Sequence, residues 1–358
     1  MAQVTFLKIA SQDAAREPPA QWSYSAAKTF GECPKRWLLS RIKLSHFGGS
    51  LPRQLTKAAL EGTLLHELLK KYSHDSVDFK PRKQLKLLLE EQKERYCTNS
   101  RVKIRQLIQK VSLDKILHHF HQFYPRIAAL PPRSGDARKG ERQYGSEVFV
   151  EDSSSRLFGI IDYVDAEGLT DFKTGLESGN HITQVLLYGA LWLARWGVPP
   201  KRLSVTYAGG SVFIDFTAEL LVQVLAEWRE TLRNYDFQIR EGKAAARPSC
   251  DQCRRCHVRG LCKDYWSQIY PKIMQETQTG YSDYMPSADA VFEKNVYGYY
   301  IRDRLNGQES TLLVDVAESL TLKPSDLRIL GVQIKQGEKR LQLIINENSE
   351  IIIHYPDV

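Results

Sequence analysis

Residues 23–42, opening Ser-Tyr-Ser-Ala-Ala-Lys-Thr-Phe, place Phe30, Trp37 and Leu38 at helical spacing behind a Ser23 or Ser25 cap, which predicts an amphipathic helix. Turn formers follow at Gly48–Pro52. Residues 55–73 predict a second helix that buries Leu64, Leu65, Leu68 and Leu69. Residues 80–128 are again helical in pattern, rich in Lys, Arg, Gln and Leu, and Pro131–Gly140 is a run of linker residues. The period changes from 3.6 to 2 after Tyr144. Glu147–Glu151 and Leu157–Val164 alternate around the Asp152–Ser155 turn, so a hairpin is predicted, with Leu169–Lys173 as a third strand. An apolar helix over Ile182–Trp196, a second hairpin (Leu203–Tyr207 and Val212–Phe216) and a long amphipathic helix over Glu219–Glu241 complete an α/β pattern around a mixed sheet. Residues 275–310 offer few apolar anchors and predict a loose connection. Beyond them Ile329–Ile334, Leu341–Ile345 and Ile351–Tyr355 predict a small β-rich appendage. The expected organisation is one α/β domain over residues 1–275, with a helical insert at about 75–130, and a β-rich domain over 276–358.

Composition narrows the class. With 358 residues and 42% apolar content the chain can bury one large core and a smaller one. No apolar run approaches the roughly 20 residues that span a bilayer, and Met1–Arg16 lacks the layout of a secretory signal. A cytoplasmic location is therefore expected, where six cysteines are not expected to form disulfides. The net charge of +8 is uneven, because residues 271–358 carry 9 Lys+Arg against 13 Asp+Glu and the surplus of positive charge lies on residues 1–270. A polyanion, if bound, belongs on that basic part. A basic run from Lys80 to Arg105 is either a solvated helix face or a track for phosphates. His118, His119 and His121 face different ways on a helix and are discounted as a metal cluster, and Tyr297, Tyr299 and Tyr300 are expected to pack in the appendage. No G-x4-G-K-[S/T] phosphate loop occurs, so no ATP-driven motor is visible.

The chemistry gathers about the third strand. Gly159-Ile-Ile-Asp162 ends one strand, and Asp171-Phe172-Lys173 lies on its expected neighbour. Adjacent strands bring Asp162 and Asp171 together, and two carboxylates at one place repel unless a cation joins them. Lys173, two residues from Asp171, faces the same way and suits orienting a water or neutralising a phosphoryl oxygen. His66 on the second helix is a further candidate ligand. Gln184 and Tyr188 share a face of the helix that follows the lysine. A surface ion pair is the plain alternative for Asp171 and Lys173.

A second group is cysteine. Cys250, Cys253, Cys256 and Cys262 are spaced C-x2-C-x2-C-x5-C, a local set that could hold zinc with His257 in reserve.

In order and spacing His66, Asp162, Asp171-Phe172-Lys173 and Gln184-Val-Leu-Leu-Tyr188 resemble the motifs of RecB-like PD-(D/E)XK nucleases, and the opening helix with Cys33-Pro34 resembles the leading helix of that family. The resemblance covers roughly residues 23–265. It implies a restriction-endonuclease-like core with Mg²⁺ or Mn²⁺ held by His66, Asp162, Asp171 and the Phe172 carbonyl. Lys173 would be the catalytic lysine, Gln184 and Tyr188 would hold DNA, and Glu147 would be an accessory carboxylate. Isoleucine precedes Asp162 where the family name has proline, and Asp171 stands where many members have glutamate.

The iron–sulfur members of that family, of the AddB and CRISPR-adaptation types, carry one early cysteine and a late C-x2-C-x5-C triplet. This implies a [4Fe–4S] cluster on Cys33, Cys253, Cys256 and Cys262, with Cys250 as a competing local ligand. The activity implied is hydrolysis of DNA phosphodiester bonds, exonucleolytic on single strands or ends, in repair or defence, with a helicase or CRISPR protein as partner. The competing class is a DNA-binding scaffold subunit without catalysis.

Overall fold

The computed structural model describes residues 5–7, 17–41, 43–44, 49–50, 57–74, 80–97, 110–128, 144–174, 176–207, 209–276, 280–295, 298–305, 308–314, 327–336, 341–345 and 350–354. The Pro131–Gly140 linker lies outside them, as do the side chain of Cys97 and the 101–105 end of the basic run.

Two compact units divide the chain, and they do not follow the expected boundary after residue 275. A carboxylate unit comprises Pro19–Lys28 and Leu55–Phe237, and a cysteine unit comprises Met1–Pro18, Thr29–Gln54 and Gln238–Val358.

In the carboxylate unit a mixed sheet runs Trp22–Ser23, Leu157–Asp165, Gly168–Phe172, Leu203–Tyr207, Gly210–Ile214, with Gly145–Asp152 also paired to Leu157–Asp165. Hairpins make the antiparallel pairs, while Gly168–Phe172 and Leu203–Tyr207 are parallel because the helix Gly179–Trp196 carries the chain across between them. That crossover helix packs on four of the strands. The helix Lys57–His74 packs with Pro81–Cys97 and Leu113–Ala128. Together they bury Leu64, Leu65, Leu68, Leu85, Phe120 and Phe123 in one core with Phe172 of the sheet. The insert thus supplies the apolar layer over one part of the sheet. Phe123 stacks on Phe172 at 4.7 Å between centroids, directly beside Asp171 in sequence.

The single helix expected over 23–42 is two, Tyr24–Glu32 and Pro34–Leu39. Pro34 explains the break: it offers no N–H and forces the preceding residue out of helical geometry, and Cys33 is extended (φ −157°, ψ 102°). The cysteine therefore sits at a corner.

In the cysteine unit an eight-stranded sheet replaces the few strands expected. The loose connection predicted over 275–310 is corrected: Gly280–Tyr284, Val291–Asn295 and Gly298–Leu305 are strands, and Gln308–Val314 continues them. Buried polar groups hid the pattern. Asp303 is buried in mid-strand, where its carboxylate accepts from the Tyr284 hydroxyl at 2.8 Å and the Ser287 N–H at 2.9 Å. Thr5–Leu7 adds a parallel strand beside Glu350–His354. Among the described residues no helix is long and apolar enough to cross a membrane.

Gly168 opens the third strand with φ 152°, and a Cβ there would run into the Arg202 carbonyl oxygen that pairs with Leu169 N at 2.9 Å. Gly168→Ala should therefore open the parallel pair that carries Asp171. The expected cost is about 2–4 kcal/mol in urea unfolding; an unchanged midpoint would show that the pairing yields freely.

Candidate active site

The ladder between Leu157–Asp165 and Gly168–Phe172 runs from Tyr163–Thr170 to Asp165–Gly168. One step further along both strands stand Asp162 and Asp171. There the Asp162 carboxylate Oδ2 accepts the Phe172 N–H at 2.7 Å, so side chain replaces main chain as the link between the strands. On the other side of Asp162, Glu147 falls between the pairs Ser146–Tyr163 and Val148–Ile161, level with Asp162, and its φ of 53° is left-handed. The three acidic positions thus lie at one level across three strands.

Two basic side chains stand beside the buried Asp171 and the half-buried Asp162. His66 Nδ1 lies 3.3 Å from Asp162 Oδ1, and Lys173 Nζ lies 2.7 Å from Asp171 Oδ2. The His66 helix passes beside Thr174, just past the lysine, at Gly62, one turn before the histidine. The consequences for proton affinity differ between the carboxyls. For Asp162 burial pushes the pKa up, but His66, Lys173 and the Phe172 N–H outweigh it and hold the group below the usual carboxylate range. Asp171 is only 1% exposed; burial, then the Asp162 charge, pushes its pKa to about 7 against the pull of Lys173. The Asp162 charge in turn raises His66.

The Asp171–Lys173 pair is close but misaligned. At 2.7 Å it is an ion pair by distance, yet Asp171 Oδ2 has no hydrogen-bond partner of acceptable angle and is buried. A buried carboxylate oxygen without such a partner, level with a second carboxylate and an imidazole, is the donor set of a hard divalent cation. The residues fit the metal that the family resemblance implies. Among the described residues no group of three or more His, Cys, Asp or Glu side chains is gathered closely enough to hold a metal ion; His66 and Lys173 stand beside the carboxylates as counter-groups.

Gln184 and Tyr188 meet each other, Gln184 Nε2 donating to the Tyr188 hydroxyl at 2.6 Å. Tyr188 is buried, and burial first, then the Asp171 charge, raises its pKa. Its ring crosses the Leu157–Asp165 strand over Gly159, where a Cβ would come within 2.6 Å of Cε1. Only glycine lets the tyrosine reach the aspartates, which accounts for the Gly159 of the strand motif.

Residues not singled out in the sequence also lie here. Tyr24 donates its hydroxyl to the Asn180 carbonyl at 2.7 Å and so ties the leading helix to the first turn of the Gln184 helix. His181 Nδ1 lies 2.9 Å from the Tyr207 hydroxyl. The signal for His181 was its spacing, since 181, 184 and 188 form one row on a helix. Tyr24 and Tyr207 carried no such mark.

The cysteines form a second cluster, within the cysteine unit. Cys33, Cys250, Cys253, Cys256 and Cys262 are free thiols, all half-buried. The last four pack against the core of Val258, Leu261, Tyr265, Trp266 and the eight-stranded sheet. Arg259 and Tyr265 anchor this segment on Asp283, at 2.6 Å and 2.7 Å. Burial pushes the thiols of Cys253, Cys256 and Cys262 up, Cys262 to about 11. Cys33 lies near enough to Cys253 and Cys256 to bias both, as Arg36 does Cys256 in the opposite sense. Cys250 neighbours Cys253.

Among known protein families, residues 21–263, more than half of the chain, match the PD-(D/E)XK nuclease superfamily. No curated protein matches the chain.

Asp171 binds its proton more tightly in the folded chain than in the unfolded one, where its pKa is near 3.8. Its contribution to stability therefore falls as pH rises from 3.8 to about 7 and stays low above that. His66, raised, loses its contribution as pH rises through its folded pKa; Asp162, lowered, loses its contribution as pH falls. In metal-free buffer Asp171→Asn should match wild type near pH 4 and exceed it at pH 8 by about 1–3 kcal/mol in urea unfolding. A variant less stable than wild type at pH 8 would show that Lys173 outweighs the burial cost.

Proposed function

Because the chain belongs to the PD-(D/E)XK nuclease superfamily, we propose that it is a metal-dependent deoxyribonuclease that degrades DNA from single strands or ends. The single observation that carries this is the placement of Lys173 beside the half-buried Asp162 and the buried Asp171, its ammonium 2.7 Å from an Asp171 oxygen that lacks a hydrogen bond. His66, Asp162, Asp171 and the Phe172 carbonyl would hold Mg²⁺ or Mn²⁺, which when bound supplies Lewis-acid polarisation of the phosphate and of a water. The protein groups do the rest. Asp162 and Asp171 accept protons or cations at a common level. Lys173 orients the nucleophilic water and meets the negative charge that grows on the phosphoryl oxygens. Gln184 and Tyr188, hydrogen-bonded to each other beside Asp171, would help hold the DNA. The restriction to strands or ends extends the likeness to RecB-type nucleases, and unwinding of a duplex would come from a helicase partner, in repair or defence.

The cysteine cluster extends the same reading. A [4Fe–4S] centre on Cys33, Cys253, Cys256 and Cys262 is supported by the nearness of Cys33 to Cys253 and Cys256. Free thiols of this kind suit a reducing, cytoplasmic compartment.

Purified anaerobically and supplied with Mn²⁺, the protein should shorten labelled single-stranded DNA. Lys173→Ala should slow this by about 10³-fold. Failure of the wild type with either Mg²⁺ or Mn²⁺, equal cleavage by the variant, or cleavage confined to RNA would overturn the assignment. Iron and sulfide analysis should find about four of each per chain, lost in Cys33→Ser and kept in Cys250→Ser. Stoichiometric zinc without iron, or the reverse response of the two variants, would favour the local cysteine set.

A further inference from the structure

Three contacts bring basic groups from separate elements to one place beside Lys173. The Lys173 N–H donates to the Thr206 carbonyl at 2.9 Å, so the ends of the two parallel strands, Lys173 on one and Tyr207 on the next, lie together. The Tyr207 hydroxyl, 2.9 Å from His181 Nδ1, fixes the imidazole above those ends. Tyr24, whose hydroxyl binds Asn180 next to that histidine, is one helical turn from Lys28, so both face the same way on the leading helix. His181 and Lys28 are both half-exposed, unlike Tyr188, which is buried on the same row of the helix as His181.

We propose that Lys28 and His181 form a second phosphate subsite of the nuclease, holding the DNA backbone phosphate adjacent to the one that Lys173 meets. This rests on the nuclease reading above. With the Tyr207 hydroxyl donating to Nδ1, the imidazole carries its hydrogen on Nε2 and is a donor to an anion while uncharged. Burial, then the charges of Lys173 and Lys28, lower its affinity for a proton, which keeps it in that neutral form. Two lysines and one donor on three elements fit the spacing of charges along a strand. The subsite reads no base, so it suits an enzyme that moves along DNA of any sequence. Tyr207 acts through His181 and is a positioning residue.

The test measures binding of a fluorescent single-stranded oligonucleotide by the whole protein in Ca²⁺, across a range of NaCl, with steady-state cleavage in Mn²⁺ alongside. Lys28→Ala and His181→Ala should each weaken binding by about tenfold. Lys28→Ala should also reduce the slope of log affinity against log salt by about 0.7. The loss should fall more on KM than on kcat. His181→Gln, which keeps a donor, should recover part of the loss, and Tyr207→Phe should show a smaller one. Thermal melts establish that each variant folds. Should wild type bind and cleave DNA while folded Lys28→Ala and His181→Ala match it in affinity and slope, the subsite is disproved. A weaker Lys28→Ala with an unchanged salt slope would also overturn it, since only packing would then have been lost. A wild type that neither binds nor cleaves DNA would instead sink the nuclease reading beneath it.

Discussion

Two carboxylates on adjacent strands, out of water, cannot both be charged unless positive charge stands beside them. Much of the carboxylate unit serves that constraint around Asp162 and Asp171. His66 arrives on a helix whose own core is completed by the insert, through Leu64, Leu65 and Phe120. Lys173 arrives from the strand itself. Gly159 lets Tyr188 cross, and Gly168 allows the parallel pair to close. Each of these is a local concession to one electrostatic requirement. The raised pKa of Asp171 shows that the requirement is only partly met by protein groups.

The route of the chain gives the second group its meaning. It passes through Cys33 in one unit, enters the carboxylate unit at residue 55 and returns at 238, shortly before Cys250. A bond network between Cys33 and Cys253–Cys262 would therefore close the cysteine unit on either side of the excursion, and long closures of this kind restrict the unfolded chain most. The eight-stranded sheet, which looked like an appendage, is the surface on which the cysteine segment packs through Trp266 and Tyr265. Residues 276–358 thus belong physically with the cysteines.

Legibility followed the physics of each element. The strand bearing Asp162 alternates, the short strand bearing Asp171 is buried throughout, and the His66 and Gln184 helices announce themselves by leucine spacing. The Val212–Phe216 strand was placed two residues late, since the tight turn pairs Tyr207 directly with Gly210. Gly298–Leu305 was not legible, because a buried Asp303 satisfied by Tyr284 and Ser287 looks polar in sequence. At the site, residues with acid–base chemistry could be named from type and spacing. Tyr24 and Tyr207 could not, because their roles depend on contacts over 156 and 26 residues. The division into units was hidden for the same reason: it depends on what the last strands pack against.

Lys173 makes the electrostatic balance directional. The ammonium stands 2.7 Å from Asp171 Oδ2. The pairing is misaligned, and the oxygen it faces stays without a hydrogen bond, so little holds the lysine there beyond charge. A cation held by His66, Asp162 and Asp171 would compensate the charge of Asp171, weaken that attraction and leave the same ammonium free for a neighbouring oxyanion. The site that is least comfortable without a ligand is in this way the one whose lysine is most easily redirected. Active sites that store unsatisfied charge commonly sacrifice stability for that readiness, and here the sacrifice is confined to one carboxyl group.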